Sequence, residues 1–297
     1  MIIKSTLQGL VVASYGKRFD VELIDKMRVS CVTRGKKTDI ACGDIVNIKL
    51  TDKREGVIES SLPRTSLLYR SNAFKSKILA SNVSQIVITL ATQPSFYENL
   101  LNRCLVAAEA ANIKPLIVLN KCDLEDISHA KTTLKRYENL GYKVLHLAAT
   151  ENITGLLPHL NNHQSVLVGQ SGMGKSTIIN ALLPNENVRT QIVSEALDSG
   201  KHTTTAAHLY HLNETTTLID SPGLQEFGLH HLNNEQIELA FIEFKPFLGN
   251  CRFNNCKHSH EPDCAVTNAV KNGVIANERL QFYQELSTEL QFNRPNS

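Results

Sequence analysis

The sequence lacks the long apolar segment that a membrane-spanning helix needs. No part of its 297 residues approaches the roughly 20 consecutive apolar residues that cross a bilayer. The opening residues, Met-Ile-Ile-Lys-Ser-Thr, also lack the apolar core of a secretory signal. We therefore expect a protein that is neither secreted nor placed in a membrane, and that works in the reducing cytoplasm.

The chain also lacks a strong charge excess, an internal repeat and a low-complexity tail. Its formal net charge is +2 at pH 7, and its 42% hydrophobic and 20% charged residues are typical of a globular protein. The small total hides an uneven distribution, because residues 1–70 hold 13 Lys and Arg against 8 Asp and Glu. A basic N-terminal segment is compatible with a nucleic-acid partner. An ordinary solvated domain with no such partner explains the same charge distribution equally well.

The pattern of apolar residues predicts three domains. Residues 1–65 contain short alternating runs separated by turn residues, which is typical of a small all-β barrel or sandwich. From about residue 83, strands alternate with helices, which indicates a parallel sheet. Beyond residue 228 the pattern is helical, so the predicted domains are 1–65, 66–228 and 229–297. Residues 61–77, around the boundary between the first two domains, are typical of a connector. Its basic residues are Arg64, Arg70, Lys75 and Lys77, and Arg54 lies before it.

Residues 169–176 read Gly-Gln-Ser-Gly-Met-Gly-Lys-Ser and match the phosphate-loop pattern G-x-x-x-x-G-K-[ST] between a strand and a helix. The glycines let backbone N–H groups surround phosphates, Lys175 reaches the β/γ oxygens, and Ser176 offers its hydroxyl to Mg²⁺. A chance glycine-rich turn is the minor alternative. The predicted nucleotide contacts here are Gly169, Gln170, Ser171, Gly172, Met173, Gly174, Lys175, Ser176 and Thr177.

A second motif, Asn120-Lys121-Cys122-Asp123, follows an apolar strand, and we expect these four residues to bind the base. The carboxylate of Asp123 can accept from N1–H and the 2-amino group of guanine, while the amide of Asn120 can meet the 6-oxo/N7 edge. Adenine offers no matching pair of donors, and a buried carboxylate left unpaired is costly, so this motif predicts GTP. Alone, such a motif could also be a helix-capping turn.

A third motif, Asp220-Ser-Pro-Gly223, ends another strand and resembles the element of GTPases that senses Mg²⁺ and the γ-phosphate. Asp220 would act through a metal-bound water and the amide of Gly223 would face the γ-phosphate. The preceding threonine run matches the switch whose threonine binds Mg²⁺, with Thr204 our first choice and Thr203 our second. A plain β-edge segment is the alternative.

Leu224 stands where many GTPases have a glutamine that orients the attacking water. An apolar side chain cannot orient water, so intrinsic turnover should be slow. His202 is the internal candidate for this catalytic task, beside Lys175 and Thr204, because its ordinary pKa lies near neutrality. An equally open alternative makes His202 an exposed switch residue that a partner positions.

The order of the motifs is reversed relative to an ordinary GTPase. The guanine motif comes first, then Leu-Ala-Ala-Thr at 147–150 as a candidate base-contacting loop, then the phosphate loop and the switches. A circular permutation explains this order, because the termini of compact domains often lie close together. The second switch then leads directly into the C-terminal region.

The C-terminal region contains a cysteine and histidine cluster with the spacing C-x₄-C-x-H-x₅-C. Three thiolates and one imidazole are the donor set of a closed, structural zinc site. The predicted ligands are Cys251, Cys256, His258 and Cys264, with His260 as a competing ligand; surface cysteines without metal are the minor alternative.

Together these features resemble one family, the small-ribosomal-subunit-dependent GTPase A of bacteria, over nearly the whole chain. The resemblance implies a multidomain fold: an N-terminal OB-like β-barrel, a central circularly permuted α/β P-loop GTPase, and a C-terminal helical zinc-binding domain. It also implies GTP hydrolysis stimulated by the 30S ribosomal subunit, a role in late maturation of that subunit with release on hydrolysis, and contact with 16S-type rRNA. We expect a monomer that uses Mg²⁺ with GTP and one structural Zn²⁺.

Two other classes of function remain open from the sequence. In the first, the protein is an RNA-binding module for which nucleotide is only a conformational ligand. In the second, it is a P-loop kinase with a small-molecule acceptor, which Asn120 and Asp123 disfavour because kinases do not require them.

Overall fold

The computed structural model describes residues 6–34, 39–71, 76–124, 126–184, 206–221 and 227–292. Within these ranges, no helix has both the length and the apolar character needed to cross a membrane.

The N-terminal part is a closed five-stranded barrel, as the sequence predicts. β1 pairs with both β2 and β4, and β3 pairs in parallel with β5, so the ring closes in the order β1-β2-β3-β5-β4. Alternate residues of the strands, such as Val11, Val21 and Val29, fill its interior. The strands are β1 (Leu7–Ser14), β2 (Arg18–Leu23), β3 (Arg28–Thr33), β4 (Ile45–Asp52) and β5 (Glu55–Ser61).

The segment that follows the barrel is a hairpin of β6 (Leu67–Ser71) and β7 (Ser76–Ser81), so the prediction of a plain connector is wrong. Arg64, just before it, is not a free surface cation. Its Nε lies 2.7 Å from Oδ1 of Asp44, which is fully buried. A buried carboxylate needs a charged partner, so the Arg64 guanidinium has a structural role in compensating Asp44.

The central part is a sheet with helices on both faces. Its strand order is β10-β9-β8-β11-β13-β12, with every pair parallel except β12–β13. All six residues of β8 are buried because both faces of the sheet are covered. The strands are β8 (Gln85–Leu90), β9 (Lys114–Leu119), β10 (Lys143–His146), β11 (Gln164–Val168), β12 (Ala207–His211) and β13 (Thr217–Asp220), and the helices are α1 (Glu98–Ala110), α2 (Ser128–Asn139), α3 (Leu157–Leu160) and α4 (Lys175–Leu182).

The barrel and the central sheet are hydrogen-bonded to each other. β12 pairs antiparallel with β1, with Ala207 opposite Ser14 and His208 opposite Ala13, which gives one sheet of eleven strands. Nearby, Nε2 of His211 lies 2.9 Å from Oε1 of Glu22 in β2. The barrel is therefore anchored on a strand of the nucleotide-binding part.

The C-terminal part is helical and packs against α1. Its first helix begins with a reciprocal capping box between Asn233 and Gln236. In its last helix, Arg279 is buried, with Nε 2.5 Å from Glu243 and Nη1 2.6 Å from Oδ1 of Asn102 in α1. The elements are α5 (Asn234–Ala240), a 3₁₀ turn (Lys245–Phe247), α6 (Ala265–Lys271) and α7 (Asn277–Phe292).

Candidate nucleotide site and metal centre

The phosphate loop joins β11 to α4, and its glycines make room for the neighbouring motif. Gly174 has φ +89°, and a Cβ there would lie 2.2 Å from Nδ2 of Asn120. A Cβ at Gly169 would lie 2.3 Å from the carbonyl oxygen of Thr89. The ammonium of Lys175 donates to the carbonyls of Gly169 and Gln170 at 2.7 and 2.8 Å, so it is held inside the loop.

The side chain of Asn120 connects the guanine motif to two other loops. It is 2% exposed; its Nδ2 donates to the Met173 carbonyl and its Oδ1 accepts from the Ala149 N–H, both at 3.1 Å. The candidate base-contacting loop 147–150 and the phosphate loop thus meet at one amide. Because both of its polar ends are satisfied, Asn120 fixes the spacing between the two loops.

A cleft of about 130 Å³ opens beside this amide. Asp123 lines it, opposite a threonine at the start of α4. Cys122 does not line it; its thiol instead donates to the Leu119 carbonyl at 3.2 Å. The lining residues are Asn120, Lys121, Asp123, Leu124, Ala149, Thr150 and Thr177. Its position gives Asp123 access to a ligand that also reaches the phosphate loop.

Asp220 ends β13 directly beside β11, opposite Leu167. Burial raises the pKa of Asp220 to about 6, although the nearby Lys175 ammonium lowers it. Burial likewise lowers the pKa of Lys175, and the Asp220 carboxylate opposes that shift. The next residue, Ser221, donates its hydroxyl to the Leu167 carbonyl at 2.8 Å, which fixes the end of the strand.

Several predicted residues lie outside the described residues: His202, Thr203, Thr204, Gly223 and Leu224. Of the remaining phosphate-loop residues, Ser171, Gly172 and Ser176 are exposed, whereas Met173 is buried. Ser176 stands in the first turn of α4, at the positive end of the helix dipole.

The four predicted zinc ligands form one cluster, with all ligand atoms within 4.8 Å of one another. Nδ1 of His258 lies 3.2 Å from Sγ of Cys264 and 3.7 Å from Sγ of Cys251, and the two sulfurs are 3.9 Å apart. Zn–S bonds of about 2.3 Å in a tetrahedron give ligand spacings of about 3.7 Å, so the geometry and donor set fit zinc. His260 is exposed and does not belong to this cluster.

Glu238 is a functional residue that the sequence analysis did not identify. Its carboxylate accepts from Nε2–H of His258 at 2.5 Å. This bond selects the tautomer whose Nδ1 lone pair faces the thiols, as is usual for zinc-binding histidines. Glu238 lies in α5, twenty positions before His258 and outside the cysteine-rich spacing, so the sequence alone gives no signal for it.

The loop between β8 and α1, residues 92–97, was also not identified from the sequence, and we call it the proline loop. A Cβ at Gly172 would lie 3.0 Å from Cδ of its Pro94. The proline loop follows the carboxyl end of β8, at the edge of a parallel sheet where ligands bind. Its position directly after a predicted strand is the sequence feature that could have indicated a role at the site.

Comparison with known proteins gives consistent matches over the chain. A family model described as RsgA GTPase matches residues 61–230. The small ribosomal subunit biogenesis GTPase RsgA of Nitrosospira multiformis is 49% identical over 97% of this chain and 92% of its own length. The protein of the same name from Neisseria meningitidis is 50% identical over 94% of this chain and 91% of its own.

Two crystal structures are similar over the full length. YjeQ from Thermotoga maritima has a TM-score of 0.74 at 28% identity, covering 98% of this chain and 100% of its own. YloQ, described as a circularly permuted GTPase, has a TM-score of 0.69 at 25% identity, covering 100% and 99%. The reversed order of motifs in this chain therefore has a structural counterpart.

Proposed function

Because the chain belongs to the RsgA GTPase family, we propose that it hydrolyses GTP on the 30S ribosomal subunit late in the subunit's maturation, and that hydrolysis triggers its release. The family is one of GTPases, and the relatives with about half of their residues identical carry small-subunit biogenesis in their names. Action late in maturation, stimulation by the 30S subunit and release on hydrolysis are our proposals and go beyond these names.

The observation that carries the proposal is the bridging position of Asn120. Its amide bonds both the phosphate loop, at Met173, and the loop at Ala149. A ligand in the cleft beside Asp123 would therefore hold its base at a fixed distance from its phosphates. A guanine nucleotide matches both ends, because its N1–H and 2-amino donors suit a carboxylate.

We assign the phosphate end to backbone N–H groups of residues 169–177 and to the Lys175 ammonium. The oxygen donors Ser176 and Thr204, with Asp220 acting through water, suit a hard cation such as Mg²⁺. When bound, Mg²⁺ neutralises charge on the β- and γ-phosphate oxygens. Lys175 shares that task, since its ammonium already lies at the centre of the loop.

The attacking water requires a group that Leu224 cannot supply. We propose that His202 orients the water once the 30S subunit has fixed the switch, so turnover without the subunit is slow. We assign contact with 16S-type rRNA to the basic barrel. Among its described residues, the exposed lysines and arginines are Lys17, Arg18, Lys26, Arg28, Arg34, Lys53 and Arg54.

The cysteine cluster would hold one Zn²⁺ through Cys251, Cys256, His258 and Cys264. All four positions of a tetrahedron are taken by protein atoms, so this metal would have a structural role. We further propose that the protein acts as a monomer in the cytoplasm.

Pelleting with ribosomal subunits tests the release step. We expect the chain to sediment with purified 30S, and not 50S, in the presence of a non-hydrolysable GTP analogue, and to sediment at least several-fold less with GDP. Equal sedimentation with 30S in both nucleotide states would contradict a GTP-timed release and favour an RNA-binding module.

A further inference from the structure

The side chain of Gln170 is directed toward the proline loop. Its Oε1 accepts the backbone N–H of Tyr97 at 2.8 Å. Tyr97 is the N-cap of α1, a helix that has no capping bond from its own side chain at this position. The first backbone N–H groups of a helix lack partners within the helix, so Gln170 supplies an acceptor that the α1 sequence does not.

The proline loop also holds the guanine motif. The ammonium of Lys121 donates to the Gln93 carbonyl at 2.6 Å. The aliphatic part of the same side chain passes the phosphate loop, where its Cε lies 3.9 Å from the point that a Cβ on Gly174 would occupy. Lys121 therefore spans from its own motif, across the phosphate loop, to the proline loop.

We propose that Gln170 is a positioning residue for nucleotide binding: it fastens the proline loop to the phosphate loop, and the fastened loop holds Lys121 in place. This inference rests on the proposed function, because it assumes that residues 120–123 bind a guanine base. The side chain of Gln170, and not only its backbone, would then support nucleotide binding.

The contacts explain why a long amide suits this position. A glutamine reaches from the phosphate loop to the start of α1, and its carbonyl presents the acceptor that Tyr97 requires. A methionine has the same length and no carbonyl. Gln170→Met therefore removes one hydrogen bond while filling the same space, and the backbone N–H groups around the phosphates remain.

The test is a double-mutant cycle on the full-length protein, read by GDP affinity in calorimetry and by the KM and kcat of GTP turnover. Losing one hydrogen bond predicts GDP binding that is about threefold to tenfold weaker in Gln170→Met. KM should rise with kcat nearly unchanged, because Lys175 and Ser176 are untouched. Lys121→Met should also weaken binding, and the double variant should lose clearly less than the product of the two single effects.

Two controls accompany the cycle. Tyr97→Ala removes an exposed ring and keeps the N–H, so its affinity should equal that of the wild type. Lys135→Met lies on the exposed face of α2, and its effect should multiply with that of Gln170→Met without coupling. Should Gln170→Met fail to fold, Tyr97→Pro removes the same hydrogen bond from the donor side and decides in the same way.

An unchanged GDP affinity in Gln170→Met, or effects of Gln170→Met and Lys121→Met that simply multiply, would overturn the inference while leaving the proposed function intact. No GDP binding by the wild-type chain would instead overturn the proposed function, and the inference with it.

Discussion

At the scale of single residues, we propose that Asp123 decides which base the cleft accepts. It lines the cleft together with Ala149 and Thr177, and it would face the base of a nucleotide whose phosphates bind residues 169–176. A carboxylate accepts hydrogen bonds and donates none, so it favours a base edge that carries two donors. Guanine provides that edge.

Replacing this acceptor by an amide should change the base preference. Xanthine has a 2-oxo acceptor where guanine has its amino group, so Asp123→Asn should shift the ratio of GTP to XTP turnover toward XTP by about tenfold or more. The measurement is kcat/KM for both nucleotides, with the wild-type chain as control. A ratio that does not move would remove Asp123 from the base site.

Asp220 should destabilise the nucleotide-free protein at neutral pH. Its pKa is raised from 3.8 to about 6, so folding disfavours its charged form. Asp220→Asn should therefore stabilise the protein at pH 8 by about 1 to 3 kcal/mol. The gain should shrink as the pH falls through 6 toward 4, because the Asp220 carboxyl then takes up a proton in the folded state and no longer carries a buried charge.

Urea unfolding without nucleotide and Mg²⁺, at pH 8 and at pH 5, measures this difference. A gain of the same size at both pH values would show that the substitution acts through packing, and a loss at pH 8 would contradict the burial argument.

At the scale of elements, α5 and the cysteine-rich segment jointly form the candidate metal centre. Cys264 is the N-cap of α6, and its sulfur accepts from the Thr267 N–H at 3.4 Å. Although burial raises the pKa of the Cys264 thiol, hydrogen bonding from Thr267 helps to lower it to about 7 overall. The fold thus favours a thiolate where the metal needs one.

Glu238→Gln should lower zinc affinity by about 10- to 100-fold, because it weakens the bond that orients His258. Competition with a zinc chelator measures this affinity, and metal analysis of Cys256→Ser should show the loss of about one zinc per chain. Glu235→Gln, on the exposed side of the same helix, serves as the control. Equal zinc affinity in Glu238→Gln and Glu235→Gln would show that the carboxylate does not support the site.

The elements that the sequence predicted correctly are those with local signals. The barrel strands follow a period of two, the phosphate loop lies between a strand and a helix, and the four residues of the cysteine and histidine cluster lie within fourteen positions. The missed contacts join distant positions. The buried Asp44 pairs with Arg64, and Gln93 accepts from Lys121 through a backbone carbonyl. No side-chain pattern in the sequence indicates either pairing.

At the scale of the whole molecule, the buried Arg279 joins the C-terminal region to the nucleotide-binding part. It pairs with Glu243, bonds Asn102 in α1, and lies over the Phe241 ring at 4.6 Å. A buried charge without its partner is strongly unfavourable. The position of α7 on α1 is therefore specified by charge as well as by apolar packing.

Arg279→Met should destabilise the protein by about 3 to 5 kcal/mol, because Glu243 is left buried without a partner. The double variant Arg279→Met/Glu243→Met should be less destabilised than the single one. Lys135→Met, which breaks an exposed pair within α2, should cost less than about 1 kcal/mol and is the control in urea unfolding. A double variant that loses at least as much as Arg279→Met would contradict the role of the uncompensated charge.

The barrel and the C-terminal helices are thus each in direct contact with the central part, through β1–β12 and through α1–α7. A partner that binds the barrel or the zinc region can in this way act on the loops that surround the nucleotide. The central claim is that the 30S subunit is this partner and that GTP is the nucleotide.

Steady-state phosphate release from GTP and from ATP, by the protein alone and with 30S, 50S or 70S particles, tests both assignments at once. We expect slow GTP turnover by the protein alone, a large increase with 30S specifically, and no comparable turnover of ATP. GTP binding without stimulation by any particle, or stimulation by 50S instead of 30S, would contradict the central claim.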